Sequence, residues 1–358
     1  MGNFLHASLM NAITSDKGNG DRSSRRPFLL PQVTSGSSLS DSFKQLLKIP
    51  SSENVTDDSP IVNQRLRIYD NQVGGHTEFV KPSDSRLLLK PYDHYEFTFY
   101  NELRSERFRY LLPFTARCYG EVDVEGATSS DSSQAGTPAS ARQFSKYVML
   151  EDLAHGFDKP CILDIKMGVM QRSLRNTSEE KLARASAKSL ATTSHLLGMR
   201  ICGVVYHDPV TDERIYRNKY EGRSLDVLGT YKAICSFFDS VVSVDSRRLL
   251  IQNFVARLTR LREAVAQLTG VRFWSGSLLL VYDAASPGNA TLKMIDFAQS
   301  AILLEDPGTP DFEYLYGIDS LLSLLDAASS GDALPPTRAE VAPSPEAQTS
   351  ELFSLTRH

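Results

Sequence analysis

A chain of 358 residues, 41% hydrophobic and 23% charged, can bury one large core or two smaller ones. Its net charge of -4 excludes a broadly basic nucleic-acid-binding surface and leaves room only for a local cluster of cations. Cys118, Cys161, Cys202 and Cys235 lie far apart with no Cys-x-x-Cys spacing, and no apolar run reaches the ~20 residues that span a bilayer. Neither zinc, a disulfide framework nor a transmembrane segment is therefore expected, and the setting is read as reducing, cytoplasmic with the nucleus left open.

At the start, Gly2 meets one demand of N-myristoylation, but His6 stands where Ser or Thr is wanted, so lipid anchoring is not expected. Residues 1–60, rich in Ser, Asn, Asp and Gly, read as a disordered arm whose partners are unknown. Gln72-Val73-Gly74-Gly75-His76 is turn-like, and Arg86-Leu87-Leu88-Leu89-Lys90 reads as a strand stopped by Pro91. A helical apolar pattern through Tyr95, Phe99 and Leu103 spans Tyr92 to Arg109. The Ser-rich stretch from about 124 to 143 reads as an inserted disordered loop. A strand at Lys146-Tyr147-Val148-Met149-Leu150 then runs into Glu151-Asp152-Leu153.

Thr177-Ser178-Glu179-Glu180 reads as a capping box, Thr177 at N-cap and Glu180 at N3, opening a helix to about Leu190. The plainest helix is Leu249 to Leu268, with Phe254, Leu258, Leu261 and Val265 at spacings of three and four and Gly270 closing it. Strands follow at Ser277 to Tyr282 and Leu292 to Ile295, and the Pro-containing tail after about Asp326 reads as disordered. Few strands come early, and helices and strands mix later. The expectation is an α+β fold in two lobes: a small lobe over 61–150, a larger one over 151–326, and a tail over 327–358.

Chemistry concentrates in Pro160-Cys161-Ile162-Leu163-Asp164-Ile165-Lys166-Met167-Gly168. In a strand, Asp164 and Lys166 share one face while Leu163 and Ile165 share the other. Such a pair can take a proton and steady a moving phosphate; it could also be a surface ion pair worth under about 1 kcal/mol. Phosphoryl transfer further needs the nucleotide held, magnesium placed and charge neutralised. Lys90 ends a leucine-rich strand and Glu96 lies on the next helix, the arrangement in which a strand lysine reaches nucleotide phosphates and a glutamate fixes it. The plainer alternative is a surface lysine. Asp296 follows an apolar strand and can ligate magnesium through hard oxygen donors, or cap a helix. From Lys166 to Lys188 six cations stand against two acids, with Lys181, Arg184 and Lys188 on one helical face. That suits a substrate carrying many phosphates, although a charge run can also be a solvated face.

The pattern Pro-x-x-x-Asp-x-Lys-x-Gly resembles the signature of the inositol polyphosphate kinases at every fixed position. The similarity extends over most of residues 70 to 325, through Leu197-Gly198-Met199-Arg200-Ile201-Cys202-Gly203, Arg217-Asn218-Lys219-Tyr220-Glu221-Gly222-Arg223, Ser277-Leu278-Leu279 and Ile295-Asp296-Phe297-Ala298. Tyr316-Gly317-Ile318-Asp319 resembles a further glycine turn, and Gln299 stands where the family has a histidine. The resemblance implies a two-lobed inositol polyphosphate kinase fold, protein-kinase/ATP-grasp-like, with a small antiparallel sheet plus helix and a larger mixed α+β lobe. It implies ATP and Mg2+, with Lys90 and Glu96 at the phosphates, the Glu151 and Leu153 backbone at adenine and Asp296 on the metal. It implies catalytic roles for Asp164, Lys166 and Ser277, and an inositol phosphate-binding segment at about 166–196 carrying Lys166, Arg172, Lys181, Arg184 and Lys188.

Gln-Val-Gly-Gly-His, Leu-Gly-x-Arg-x-Cys-Gly and the short segment before Leu197 are more similar to the inositol hexakisphosphate kinases than to their relatives. The expected activity is transfer of the ATP γ-phosphoryl group to inositol hexakisphosphate. Two alternatives stand beside it: a multikinase acting on ring hydroxyls of less phosphorylated inositols, and an inactive inositol phosphate-binding scaffold.

Overall fold

A computed structural model of the protein describes residues 66–74, 77–83, 85–125, 144–173, 178–303 and 308–330. The expected arm, the body of the insert, Gly75, His76, Arg175, Thr177 and the Pro-containing tail lie outside the described residues.

The small lobe comprises β1 (Leu66–Ile68), β2 (Val80–Pro82), β3 (Leu87–Pro91), α1 (His94–Glu102), β4 (Cys118–Glu125) and β5 (Phe144–Glu151). Its strands form an antiparallel sheet ordered β1-β2-β3-β5-β4. The two-residue rhythm of β3 and β5 divides their side chains. Leu87, Leu89, Tyr147 and Met149 pack together on one face, while Leu88, Val148 and Leu150 join the main core on the other. Two expectations change here. Val124 and Glu125 are strand, paired with Ser145 and Phe144, so the hairpin reaches into the Ser-rich stretch. The helix expected to Arg109 stops at Glu102, and single 3-10 turns follow at Glu106–Phe108 and Leu112–Phe114. Phe108 and Leu111 are buried beyond the break, so the apolar pattern continued where the helix did not.

The larger lobe runs β6 (Pro160–Met167), α2 (Glu179–Leu190), α3 (Thr193–Leu197), β7 (Met199–His207), β8 (Arg214–Arg217), α4 (Lys219–Ser224), α5 (Val227–Phe237) and α6 (Val244–Gln267). It continues with β9 (Val271–Arg272), β10 (Ser277–Asp283), β11 (Ser286–Ile295), β12 (Ala301–Ile302) and α7 (Phe312–Ser330). The main sheet, ordered β11-β10-β6-β7-β8, is antiparallel, and β9 pairs with β12 beside it. This is the expected α+β, two-lobed architecture. β6 is the central strand. Its Leu163, Ile165 and Met167 are fully buried in the main core, against which α5 and α7 pack, each worth roughly 2 kcal/mol of apolar transfer.

Helix boundaries follow capping rather than apolar spacing. α6 begins before Leu249 because Ser243 caps it, its hydroxyl accepting from the Ser246 N–H at 3.3 Å. α2 has Ser178 as its extended N-cap residue, without a side-chain cap bond, which moves Glu180 from N3 to N2 and removes the expected capping box. α7 continues past Asp326 to Ser330, and Gly317 lies inside it rather than in a turn. The Gly168 N–H donates to the Gly198 carbonyl at 2.7 Å, and a Cβ on Gly317 would sit 2.5 Å from that same oxygen. The turn after β6, the start of β7 and α7 thus meet backbone to backbone. No helix among the described residues is long and apolar enough to cross a membrane.

Gly317→Ala tests this contact, because two principles oppose each other. Helix propensity favours alanine by about 1 kcal/mol, whereas overpacking against backbone costs about 1–3 kcal/mol. Urea unfolding is expected to show a less stable variant; a more stable one would mean the contact is easily relieved.

Candidate active site

The face of β6 opposite the core carries Ile162, Asp164 and Lys166, the alternation read from the sequence. Asp164 pairs in register with Gly203 of β7 and Leu279 of β10, and Lys166 with Arg200 and Ser277. A bulge in β7 at this point leaves Cys202 as an extra residue between Ile201 and Gly203. Asp164 is only 5% exposed, and its Oδ1 has no hydrogen-bond partner. Gly74 covers it so closely that a Cβ there would overlap Oδ2, and a Cβ on Gly203 would overlap the Val73 carbonyl. Burial and then the charge of Asp296 push the Asp164 carboxyl up to about 6, with Lys166 acting against them. The Lys166 ammonium donates to the Ser275 carbonyl at 2.8 Å and hydroxyl at 3.0 Å. Ser277 is buried across from it.

Lys90 and Glu96 meet as expected, and Asp296 joins them. The ammonium lies 2.7 Å from Glu96 Oε2 and 2.7 Å from Asp296 Oδ1. Local sequence brings them there. Pro91 ends β3, Asp93 caps α1 by accepting from the Glu96 N–H at 2.9 Å, and Glu96 falls in the first turn facing inward. The Phe297 N–H also donates to Glu96 Oε1, at 3.2 Å. Burial alone would lower the Lys90 ammonium, but the charges of Asp296 and Glu96 prevail and hold it raised. Against the same opposition of burial, Lys90 and Lys166 keep the Asp296 carboxyl below its ordinary value. Asp296 sits at φ +64°, a left-handed conformation that turns the chain sharply after β11; no helix starts there, so the capping alternative fails.

These residues line one cavity of about 550 Å³ between the lobes. One part is apolar, with Leu88, Leu150, Leu153, Ile162 and Val281. Glu151 and Leu153 lie at its edge. The Glu151 N–H is spent on the Arg117 carbonyl at 2.9 Å, and the Asp152 N–H on Arg86 at 2.8 Å. Asp152, passed over in the sequence, is what fixes this crossing: it accepts from Tyr69 Oη at 2.7 Å, the Ala154 N–H at 3.0 Å and the Lys81 ammonium.

The other part is cationic. Lys166, Arg172 and Lys188 line it as expected. Lys181 and Arg184 do not: α2 turns Ala185 and Lys188 to the cavity, Lys181 is exposed a turn earlier, and Arg184 donates to the Glu180 carbonyl at 3.3 Å. In their place stand Arg200, Lys219 and Arg223, which charge counting over one segment missed. The signal for Lys219 and Arg223 was the Asn218-to-Glu221 capping box, which opens α4 and spaces them one turn apart. Gly222 lets α4 rest directly on the Ile201 carbonyl. Arg200 is 4% exposed and donates to Ser194 Oγ at 2.9 Å, while its Nε has no partner. Burial, then the nearby Arg223, Arg200, Lys166 and Arg172, lowers the Lys188 ammonium, as happens where cations crowd one another. Gln299 also lines the cavity.

A family model described as inositol polyphosphate kinase matches residues 147–326. Inositol hexakisphosphate kinase 1 of Rattus norvegicus is 29% identical over 267 residues, covering 63% of this chain and 59% of its own. Inositol hexakisphosphate kinase 2 of Mus musculus is 35% identical over 147 residues, 41% of this chain and 32% of that one. The chain thus spans about six-tenths or less of the length of these relatives. Among solved structures, the inositol phosphate multikinase Ipk2 of S. cerevisiae, in complex with ADP and Mn2+, matches with a TM-score of 0.56 at 25% identity. That match covers 68% of this chain and 98% of the other.

Removing the central cation should expose the cost of the charges it holds. Lys90→Met leaves Glu96 buried against Asp296 and is expected to cost about 3 kcal/mol in urea unfolding, with part regained on adding Glu96→Gln. In the single variant the loss should shrink from pH 8 to pH 5, because the buried Glu96, already raised by burial, then takes up a proton that the unfolded chain binds less tightly. A loss below about 1 kcal/mol would mean the ion cluster is not buried enough to matter.

Proposed function

The chain belongs to the inositol polyphosphate kinase family, and on that premise we propose that it transfers the γ-phosphoryl group of ATP to inositol hexakisphosphate, forming a diphosphoinositol product. The observation that carries this is the pairing of an apolar half-cavity with six cations around Asp164. Adenine suits the apolar half, held by the Glu151 carbonyl and Leu153 backbone. Lys90, fixed by Glu96, takes the nucleotide phosphates. Lys166, Arg172, Lys188, Arg200, Lys219 and Arg223 take the inositol phosphates, where planar guanidinium groups and point-charge ammonium groups both serve. Lys181 and Arg184 have no part.

A magnesium ion fits the residues present. Among the described residues no group of three or more His, Cys, Asp or Glu side chains gathers as a cage, but magnesium characteristically takes one or two carboxylates, phosphate oxygens and water. Asp296, with its side chain 30% exposed, supplies the carboxylate, and the unpartnered Oδ1 of Asp164 lies in the same cavity. The ion would neutralise charge on the transferring group.

With hexakisphosphate the attacking atom is a phosphate oxygen, already anionic at neutral pH, so Asp164 acts by positioning beside Lys166 and Ser277. A second reading, phosphorylation of ring hydroxyls on less phosphorylated inositols, draws support from the same residue. A carboxyl near 6 is suited to accept a hydroxyl proton.

Product analysis with Mg-ATP, offering inositol hexakisphosphate and inositol trisphosphate in parallel, separates these. A pyrophosphate product from hexakisphosphate is expected; turnover of trisphosphate alone would favour the second reading, and binding without turnover would favour a scaffold. Asp164→Asn should lower turnover on a hydroxyl acceptor by about a hundredfold or more and clearly less on hexakisphosphate. Equal losses on both would remove the distinction drawn between the two acceptors.

A further inference from the structure

The short segment after β6 carries Gln171 and Arg172 to the cavity, and it is held from two sides. From α7, Glu313 Oε2 accepts from the Val169 N–H at 3.1 Å and the Met170 N–H at 2.5 Å, closing the turn that begins at Gly168 with φ +81°. From the loop after β11, Gln299 Oε1 accepts from Ser173 twice, from its N–H at 3.3 Å and from its Oγ at 3.2 Å. Ser173 is 1% exposed, so these bonds are made away from solvent and are not readily exchanged for water. Arg172 lies between the two anchors with its side chain in the cavity, close enough to Lys188 for its charge to lower that ammonium.

Gln299 is three residues from Asp296 on one loop, while Ser173 adjoins Arg172 on another. We propose that Gln299 is a positioning residue: it ties the loop bearing the metal-ligating carboxylate to the segment bearing Arg172, and so sets where Arg172 meets the inositol phosphate. This rests on the kinase function proposed above. A glutamine suits the task because its amide oxygen accepts two hydrogen bonds at any pH and brings no charge into a cavity where an added anion would compete with the substrate. Without the tie, Arg172 must be ordered by the substrate itself, which weakens binding rather than chemistry.

The test measures inositol hexakisphosphate binding by calorimetry without nucleotide, together with KM for Mg-ATP and kcat, in the full chain. Gln299→Leu keeps the side-chain volume and loses the acceptor; hexakisphosphate affinity is expected to fall about tenfold with KM for ATP nearly unchanged, while the buried Ser173 donors left without an acceptor lower the melting temperature by a few degrees. Ser173→Ala, which removes only the hydroxyl donor, should lose a few-fold. The double variant should be no weaker than Gln299→Leu, since both remove one tie. Unchanged affinity in Gln299→Leu, or additive losses in the double variant, would overturn the proposal. An unaltered protein that fails to bind hexakisphosphate would instead overturn the kinase reading, and this one with it.

Discussion

Lys90 shares one positive charge between two carboxylates, its near neighbour Glu96 on α1 and Asp296, 206 residues along the chain, after β11. The lysine and Glu96 belong to the small lobe and Asp296 to the larger, so this contact joins the two walls of the cavity. Desolvating three charged groups is expensive, and the arrangement persists only because each has a close partner. Two acids face one base here, and after burial the charge of Asp296 is what raises Asp164. Lys166 offsets part of that charge, and a phosphate-bound metal would relieve the rest.

The cavity divides its labour by strand geometry. On β6 one face supplies the core and the other supplies Ile162, Asp164 and Lys166 in order, so a single strand passes from the apolar end of the cavity to the cationic end. β10 adds Val281, Leu279 and Ser277 in register beside it. The cationic wall is assembled differently, from α2, α4, β7 and the segment after β6. Its members are far apart in sequence, and close packing of Gly222 on the Ile201 carbonyl seats α4 directly against β7.

That difference explains what the sequence could reveal. Local pattern was enough to place β3, β5, β6 and β10, and two-residue alternation within β6 was enough for the shared face of Asp164 and Lys166. The union of Lys90, Glu96 and Asp296 in a single ion cluster was legible only as parts, since no spacing encodes a contact across so much chain. Counting cations over Lys166 to Lys188 treated charge as a property of a segment. The fold treats it as a property of a surface, and so admits Arg200, Lys219 and Arg223 while leaving Lys181 and Arg184 to solvent. Helix ends were misjudged where apolar spacing continued through a break, as at Phe108 and Leu111, or began after the cap, as at Ser243.

The backbone of Gly74 roofs Asp164 so closely that even a methyl group would not fit. Since burial is the main cause of the raised carboxyl, any motion that lifts this loop admits water and returns Asp164 toward its ordinary 3.8. Proton affinity and loop closure are therefore thermodynamically linked. Below about pH 6 the covered carboxyl therefore holds a proton more readily than an uncovered one would. Above that pH the roof covers a bare carboxylate, and a cation entering with the substrate would take over the proton's part.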